Sequence, residues 1–249
     1  MKGYRLIDLS VSIVDNPPGS FIQSKITYIT HEESARVRGE ALRVPKDVFP
    51  EGKFAAEEIL VVSTHAGTHM DAPWHYGPFS EGKPAKTIDQ IPLEWCYADG
   101  VVLDFTNKKA GDVIVKEDVE AALQKINYDL KPFDIVLIRT DASKNYGKPG
   151  YERMHPGMGK DATLYLIEQG VKVMGIDAWG WDPPFKSEDI KNGRIWEAHY
   201  VGKEKEYCHL ENLANLDLLP PYGFKVMVFP VKIYKASAGW VRAVAILDE

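Results

Sequence analysis

The sequence predicts a single α/β domain whose core is a mixed β-sheet. Short β-rich runs alternate along the chain with segments of helical periodicity, and this alternation is typical of α/β proteins. The 249 residues are 45% apolar, which is enough to bury one sizeable core. No internal repeat, low-complexity segment or clear linker divides the chain, so we treat residues 1–249 as one domain.

The predicted strands are rich in β-branched and aromatic residues and are bounded by turn-forming residues. Seven such runs are Tyr4–Ser10, Glu58–Thr64, Val101–Phe105, Phe133–Arg139, Val171–Asp177, Phe224–Pro230 and Val241–Leu247. An eighth run, Tyr207–Glu211, would place His209 and Glu211 on one face of its strand. Strands interleaved with helices in this way predict a mixed sheet.

Two segments have the periodicity of helices. Four apolar residues spaced i, i+3, i+4, i+7, from Val119 to Ile126, predict an amphipathic helix over Val115–Asn127. A second helix is predicted over Asp161–Gln169, because Gly170 is a usual helix terminator.

Two long segments follow neither pattern. They are Asp141–Lys160, which is rich in Gly, Pro, Asn and Tyr, and Ala178–Gly193, which contains two tryptophans and two prolines. Loops of this length inside a compact domain are usually functional or disordered. Their aromatic content favours a functional role.

The charge of the chain disfavours a nucleic-acid partner. The formal net charge is -6, and the basic residues form no concentrated cluster of the kind that phosphate binding needs. The first ten residues lack the pattern of a secretory signal, and the apolar runs are too short to cross a bilayer. We therefore expect a soluble protein that acts on a small molecule.

The chain has two cysteines, Cys96 and Cys208, which lie far apart in sequence. Two cysteines do not make a disulfide framework, and a reducing cytoplasm is the simpler setting. We expect each cysteine to be a small buried apolar residue and the protein to be cytoplasmic.

Histidines are concentrated in one segment, His65-Ala-Gly-Thr-His-Met-Asp-Ala-Pro-Trp-His75, which holds three of the seven in the chain. Its glycine, its proline and the β-rich run before it argue against a helix, so we expect an extended segment. Alternate side chains of a strand share a face, so His65, Gly67, His69 and Asp71 would point the same way.

Two imidazoles and a carboxylate on one face suit Zn²⁺, Mn²⁺ or Fe²⁺. Gly67 would leave space between the imidazoles that an ion could fill. The alternative, satisfied polar residues at a strand end, explains one histidine better than it explains the set. We therefore predict a metal site at His65, His69 and Asp71.

The pattern His65-x-Gly-Thr-His69-x-Asp71-x-Pro-x-His75 resembles the signature of the cyclase family, which includes bacterial kynurenine formamidase and isatin hydrolase. Weaker matches extend the resemblance over nearly the whole chain: Ile7–Ser10, Ile138–Thr140, Gly175–Asp177, Glu211–Leu213, Pro230–Ile233 and Arg242–Val244. The signature itself is highly specific.

This resemblance implies a swivelling β/β/α fold with one or two divalent ions, Zn²⁺ or Mn²⁺. It implies that His65, His69 and Asp71 are metal ligands. His199 and Glu211 correspond to a further histidine and glutamate that join the site in the formamidase branch.

The same resemblance assigns acid/base work to His75. Members of the family commonly form homo-oligomers, so a homodimer or homotetramer is expected.

The sequence departs from the formamidases where a substrate pocket would lie. It is longer in the two long loops, and Ala178-Trp-Gly-Trp181 replaces a Thr-Pro-Ser continuation. His209 stands where an apolar residue is usual, and isatin hydrolase has an amide at the position of Glu211. These departures point away from formylkynurenine as the substrate.

Further residues are candidates for the substrate pocket. Asp177 could contact substrate or simply cap its strand, and Trp179 and Trp181 could form an aromatic wall for a planar substrate or pack internally. His209 is a candidate outer partner of the site or a ligand in it. His155, in the first long loop, is expected at the surface or in a lid, and a role in the pocket is the alternative.

The predicted activity is hydrolysis of a C–N bond in a small aryl formamide, cyclic amide or lactam. A bound ion would lower the pKa of its water towards ~7 and polarise the carbonyl. The catalytic candidates are His75, which would pass the proton of the water to the leaving nitrogen, and Glu211, which with His199 would hold a second ion or orient the first. The alternatives are a metal-dependent lyase, cyclase or dehydratase acting on a carbonyl substrate, and a metal-binding module without catalysis.

Overall fold

The computed structural model describes residues 3–18 and 24–248. The strands are β1 (Tyr4–Asp8), β2 (Ser24–Ile29), β3 (Glu57–Val62), β4 (His69–Asp71), β5 (Phe79–Ser80), β6 (Lys83–Pro84), β7 (Tyr97–Asp104), β8 (Val113–Ile114), β9 (Ile135–Arg139), β10 (Gly157–Met158), β11 (Val173–Ile176), β12 (Cys208–Glu211), β13 (Phe224–Met227), β14 (Ala238–Trp240) and β15 (Val244–Asp248). The α-helices are α1 (His31–Leu42), α2 (Pro73–Tyr76), α3 (Lys116–Ile126), α4 (Lys160–Glu168), α5 (Ser187–Lys191) and α6 (Val201–Glu204).

Nine strands of the described residues form one mixed sheet in the order β1-β15-β13-β7-β9-β11-β12-β4-β14. Its centre, from β7 to β12, is parallel. The strands on both sides of this centre pair antiparallel. The sheet curls, so that the chain between β14 and β15 contacts both edges: Val241 N donates to the Thr68 carbonyl at 3.0 Å, and Leu9 N donates to the Ala243 carbonyl at 2.9 Å.

Alternating side chains of the central strands enter two hydrophobic cores, one on each face of the sheet. On β7, Val102 lies in the core that also holds side chains of β1, β13 and β15. Its neighbours Val101 and Leu103 lie in the second core, with Val119 of α3 and Leu166 of α4. The helices therefore cover one face, and the curled sheet closes over the other.

The predicted strands and both predicted helices are confirmed, with ends that differ by a few residues. The run Glu58–Thr64 is β3, but it pairs with β2 in a separate two-stranded sheet. The two long loops contain short elements, namely β10 and 3₁₀ turns in the first and α5 in the second.

The sequence patterns do not predict helix α1. Its buried residues are Ser34, Ala35 and Gly39, so it lacks the stripe of large apolar residues by which an amphipathic helix is recognised. Its start is fixed instead by Thr30, whose side chain accepts a hydrogen bond from Glu33 N at 3.3 Å. With 12 residues α1 is the longest helix of the described chain, and no described helix has the length and apolar character to cross a membrane.

Candidate metal centre

Two neighbouring antiparallel strands, β4 and β12, carry the central residues of the site. Their register places Asp71 opposite His209 and His69 opposite Glu211. Because side chains alternate along a strand, all four point to the same face, while the residues between them enter the core on the other face. All four are more than nine-tenths buried.

The rings of His69 and of His199, which joins these four side chains, are oriented by hydrogen-bond acceptors outside this cluster of ionisable residues. His69 Nδ1 lies 2.9 Å from the Gly67 carbonyl oxygen, and His199 Nδ1 lies 2.5 Å from Asp182 Oδ2. A carbonyl or a carboxylate can only accept, so each Nδ1 carries a proton and each Nε2 can turn a lone pair inward. This arrangement is the usual one for histidines that bind a metal.

Five histidine side chains surround the carboxylate of Asp71, and the most distant is His199, whose Nε2 lies 3.9 Å from Oδ2. Asp71 Oδ1 lies 2.9 Å from His65 Nδ1 and 3.3 Å from His69 Nε2. Its Oδ2 lies 3.3 Å from His209 Nε2 and 3.5 Å from His75 Nε2. Asp71 is therefore the centre of the cluster.

The carboxylate of Glu211 faces the same nitrogens from the next strand. Its Oε1 lies 3.3 Å from His209 Nε2 and 3.6 Å from His199 Nε2, and its Oε2 lies 3.6 Å from His69 Nε2. The backbone N–H of Trp181 donates to Oε1 at 2.8 Å and fixes its position. The predicted ligands His65, His69, Asp71, His199 and Glu211 are thus brought together by the fold.

The prediction that His65–Asp71 is one extended strand is wrong. Residues 64–68 form a turn, and the strand covers only His69–Asp71. Gly67 has a φ of 63°, the left-handed conformation that glycine adopts most readily. The chain therefore folds back on itself, and His65 reaches Asp71 from this turn.

Gly67 also does not leave a space between the imidazoles. A Cβ at this position would lie 2.9 Å from Ile13 Cγ1. The glycine is needed for its backbone conformation and for this close packing against residue 13.

His75 lies on a helical turn that follows directly. Helix α2 begins at Pro73, since the missing N–H of proline costs nothing at the first helical position. The His75 ring lies 4.3 Å from that of His65 between centroids, and its side chain is 20% exposed. It is therefore at the open side of the cluster.

Charges in the cluster shift several ionisation equilibria. Burial opposes ionisation of Glu211, but the close approach of His209 at 3.3 Å and the charges of His209 and His69 lower its pKa to about 2. Burial likewise opposes protonation of His209, but the two carboxylates raise its pKa to about 9. Burial lowers the pKa of His75 to about 4, and Asp71 only partly offsets this effect. Protonated and anionic groups therefore compensate one another, while His75 is neutral.

Several polar atoms of the cluster are buried and have no hydrogen-bond partner among the described residues. They are His69 Nε2, His209 Nε2 and both carboxylate oxygens of Asp71. A buried polar atom without a partner costs about 1–3 kcal/mol, so such a concentration needs a cause. Imidazole nitrogens and carboxylate oxygens are the donor set of Zn²⁺ and similar ions. The cluster therefore fits a divalent metal.

Asp182 supports the cluster from outside, and the sequence patterns did not indicate it. Its carboxylate accepts from His199 Nδ1 and also from the backbone N–H groups of Ala198 and His199, at 2.8 and 3.0 Å. It lies in the second long loop, and the folding of this loop brings it against His199. Carboxylates in this position fix the tautomer of a ligand histidine and raise its basicity.

We predict that Asp182→Asn weakens binding of divalent metal by about 10–100-fold, because His199 loses its anionic acceptor. Competition against a chromophoric chelator would measure the dissociation constant. Asp189→Asn, which alters the partly exposed partner of Arg194 in the same loop, is the control and should bind metal as the wild type does. Equal affinity in Asp182→Asn would show that His199 needs no such support.

A groove with aromatic walls adjoins the metal cluster. It is lined by His65, Tyr146, Tyr151 and Trp179, among others. Tyr151 OH donates to Asn212 Oδ1 at 3.0 Å, and Tyr146 OH donates to the Ser12 carbonyl at 2.9 Å, so both rings are fixed. Trp179 therefore lines the groove beside His65.

Trp181 does not line this groove. It is fully buried, its Nε1 donates to Thr163 Oγ1 at 3.0 Å, and its ring stacks on His209 at 5.2 Å and 12°. Of the two roles considered for this tryptophan, the structure favours internal packing. Its ring holds the imidazole of His209 in place.

The carboxylate of Asp177 is used within the protein. It accepts from Thr140 N at 2.7 Å, from Thr140 Oγ1 at 2.6 Å and from Asp141 N at 2.9 Å. Burial raises the pKa of Asp177 to about 6 in spite of these three donors. This geometry favours the capping role over substrate contact.

We predict that Asp177→Asn destabilises the protein by about 1–3 kcal/mol, since the amide can no longer accept from all three buried donors. Chemical denaturation would measure the loss. Asp47→Asn, at an exposed position, should change the free energy of unfolding little. An unchanged midpoint in Asp177→Asn would exclude the capping role.

Two further residues differ from expectation or were not anticipated. His155 is 1% exposed, so it does not lie at the surface, the first of the positions expected for it, and its Nδ1 lies 2.8 Å from the Pro156 carbonyl oxygen. Trp196 stacks on His199 at 5.0 Å and 15° and adopts a φ of 53°, a strained conformation for a bulky residue. An isolated tryptophan carries no sequence signal for such a position.

Comparison with known proteins gives a family and several enzyme relatives, of which two are described. A family model described as putative cyclase matches residues 7–183, well over half of the chain. The chain is 26% identical over 220 residues to the isatin hydrolase of Roseibium aggregatum. The aligned region covers 80% of this chain and 78% of that protein. It is 28% identical over 186 residues to the kynurenine formamidase of Bacillus cereus, covering 74% and 77% of the two chains.

Solved structures share the fold over nearly the whole chain. The isatin hydrolase A of Ralstonia solanacearum has a TM-score of 0.80 at 22% identity, covering 98% of this chain and 92% of that one. A crystal structure of an isatin hydrolase bound to the product analogue thioisatinate has a TM-score of 0.79 at 21% identity, covering 99% and 93%. These similarities confirm the predicted α/β class.

Proposed function

The chain belongs to the putative cyclase family, and from this premise we propose that it is a metal-dependent hydrolase of a C–N bond in a small aryl formamide or cyclic amide. The observation that carries the proposal is the buried cluster around Asp71, with a neutral histidine at its open side. The relatives named isatin hydrolase and kynurenine formamidase support the reaction class.

The ligands of the proposed ion are His65, His69 and Asp71, with His199 and Glu211 as further ligands. Their nitrogen and oxygen donors favour Zn²⁺ or Mn²⁺. A divalent ion bound there would lower the pKa of a water molecule towards ~7 and polarise the carbonyl of the substrate.

His75 is the proposed general base and acid. Its imidazole is neutral at neutral pH, because burial lowers its pKa to about 4, so Nε2 can accept a proton from the attacking water. The same nitrogen can then return this proton to the leaving nitrogen of the amide. Trp196, whose ring lies 5.6 Å from that of His75, packs against this imidazole and restricts its movement.

The groove beside His65 supports a planar substrate. The rings of Tyr146, Tyr151 and Trp179 offer faces for an aryl group, and the adjoining cluster would receive its amide carbonyl. Isatin and aryl formamides both combine a flat ring with a carbonyl bonded to nitrogen.

The test is a substrate panel with purified protein stripped by a chelator and reloaded with Zn²⁺ or Mn²⁺. Isatin, N-formylkynurenine, formanilide and a simple lactam would be compared in water enriched in ¹⁸O. We expect metal-dependent turnover of at least one aryl amide with ¹⁸O in the product. Turnover of none of them by the loaded protein, or a product without label, would overturn the proposal.

We also propose that the protein forms a homodimer or a larger homo-oligomer through the β2–β3 sheet. Tyr28, Ile59 and Val61 of this two-stranded sheet are all more than half exposed. A two-stranded sheet is marginally stable in water by itself, so a second copy covering these side chains would stabilise it.

We expect Val61→Glu to convert the oligomer to monomer, measured as molar mass by light scattering. Val231→Glu alters an equally apolar residue that is 50% exposed elsewhere on the chain and should leave the mass unchanged. A monomeric wild type, or an oligomer that persists in Val61→Glu, would contradict the assignment.

We further propose a cytoplasmic location. Cys96 and Cys208 are both buried and unpaired in the described chain, as a reducing compartment would keep them. Fractionation of cells that produce the native protein would test this.

A further inference from the structure

His209 occupies the most enclosed position in the cluster. It is fully buried on β12, between the ring of Trp181 at 5.2 Å and the ring of Tyr76 at 5.3 Å, and both rings are nearly parallel to it. An imidazole held between two aromatic faces cannot rotate away. Its two nitrogens therefore keep fixed directions.

The Nδ1 nitrogen of His209, which points away from the two carboxylates, faces two tyrosine hydroxyls. Its Nδ1 lies 3.0 Å from Tyr76 Oη and 3.3 Å from Tyr207 Oη. Each hydroxyl has a backbone carbonyl as its own acceptor: Tyr207 donates to Ala198 O at 3.1 Å, and Tyr76 donates to Asp71 O at 3.4 Å. The hydroxyl oxygens are thus left to accept, so His209 Nδ1 is the donor and carries the proton.

This tautomer turns a lone pair of Nε2 towards two carboxylates. His209 Nε2 lies 3.3 Å from Asp71 Oδ2 and 3.3 Å from Glu211 Oε1, and it has no hydrogen-bond partner among the described residues. A lone pair between two anionic oxygens is repelled unless a cation sits between them. A proton or a metal ion could take that place.

The number of convergent donors favours the metal ion. One donor atom each from Asp71, His199, His209 and Glu211 lies within 4.8 Å of the other three, and all four residues are buried. Four protein ligands are typical of closed zinc sites. A second group, of His65, Asp71 and His75, offers three donors, and both histidines are partly exposed.

We propose that His209 is a metal ligand, and that with Asp71, His199 and Glu211 it forms a closed subsite. This subsite is distinct from an open subsite at His65 and His69, which both face Asp71 Oδ1. The closed subsite holds its ion firmly and keeps Asp71 and Glu211 in place. The open subsite, which faces the groove, binds an exchangeable ion and the substrate. This inference rests on the proposed function only in that both need a metal at the cluster.

The test compares metal binding in the wild type, His209→Asn and His155→Asn. Asparagine keeps a polar group near the Nδ1 position and removes Nε2, while His155→Asn makes the same change at a buried histidine outside the cluster. Stoichiometry would be measured by elemental analysis after dialysis, and affinity by competition with a chelator. We expect the tightest ion to bind at least about 100-fold more weakly in His209→Asn, more than loss of an outer partner causes, and normally in His155→Asn.

The outcomes separate the two proposals. A wild type that binds no divalent ion would overturn both the function and this inference. A wild type and His209→Asn that bind the same number of ions with the same affinity would overturn the inference alone.

A measurement on the wild type covers the case in which His209→Asn does not fold. Crystals loaded with Zn²⁺ would give an anomalous peak at each ion. A peak about 2.0–2.1 Å from His209 Nε2 is the expected result. Peaks that all lie well beyond bonding distance of that nitrogen would overturn the proposal.

Discussion

Asp71→Asn should abolish both metal binding and hydrolysis, because this carboxylate is common to both groups of side chains that could hold an ion. Its oxygens face His65 and His69 on one side and His209 on the other, at 2.9 to 3.3 Å. An asparagine amide is neutral, and its NH₂ group would donate to one of the histidine nitrogens that must bind the ion. We expect less than about a tenth of the metal content of the wild type after dialysis.

Thermal unfolding gives a second reading of the same change. An ion that binds only the folded wild type at 100 times its dissociation constant stabilises it by about 2.7 kcal/mol, and Asp71→Asn should gain none of this. Asp134→Asn is the matched control, since Asp134 is a buried carboxylate outside the cluster that accepts from Tyr128 and Lys131. Full metal content in Asp71→Asn would remove Asp71 from the ligand set.

The sequence predicts the elements of this fold better than their arrangement. Alternating apolar residues and the spacing of Val119 to Ile126 are local signals, and they identify the central strands and α3. The pairing of β4 with β12 is not local, because it joins segments far apart in sequence. Only this register brings Asp71 opposite His209, so the second half of the site could not be built from spacing alone.

For the candidate site, the sequence likewise predicts the chemistry better than the geometry. The concentration of His65, His69, Asp71 and His75 in one segment indicates metal chemistry in whatever conformation the segment adopts. The alternation of His65, Gly67, His69 and Asp71 predicts a strand, but in so short a segment the same spacing is also compatible with a turn. The turn at Gly67 could therefore not be predicted from this spacing.

The outer partners of the site carry no local signal at all. Asp182 is one carboxylate among the 36 acidic residues of the chain, and only the folded second loop identifies it as the acceptor for His199. Tyr207 and Tyr76 likewise become relevant only once their hydroxyls meet His209. Residues that act by orienting others are therefore the part of a site that sequence patterns reveal least.

His75→Ala should lower kcat/KM by about 10²–10⁴-fold while the metal content stays at the wild-type level, as expected for loss of a general base and acid. This range corresponds to about 2.7–5.5 kcal/mol of transition-state stabilisation. His75 lies at the open side of the cluster with its side chain 20% exposed, so its removal leaves the buried ligands in place. Elemental analysis and steady-state kinetics on the same preparation would measure both quantities.

The metal content decides between two roles that the geometry allows. His75 lies close enough to His65 and Asp71 to bind an ion with them, and a ligand lost from that group would lower the metal content together with the activity. A general base lost from the same position would lower the activity alone, because the ion needs no proton from His75. His31→Ala, at the exposed first position of α1, should leave both quantities unchanged, so that a fall in metal content specific to His75→Ala would reassign His75 as a ligand.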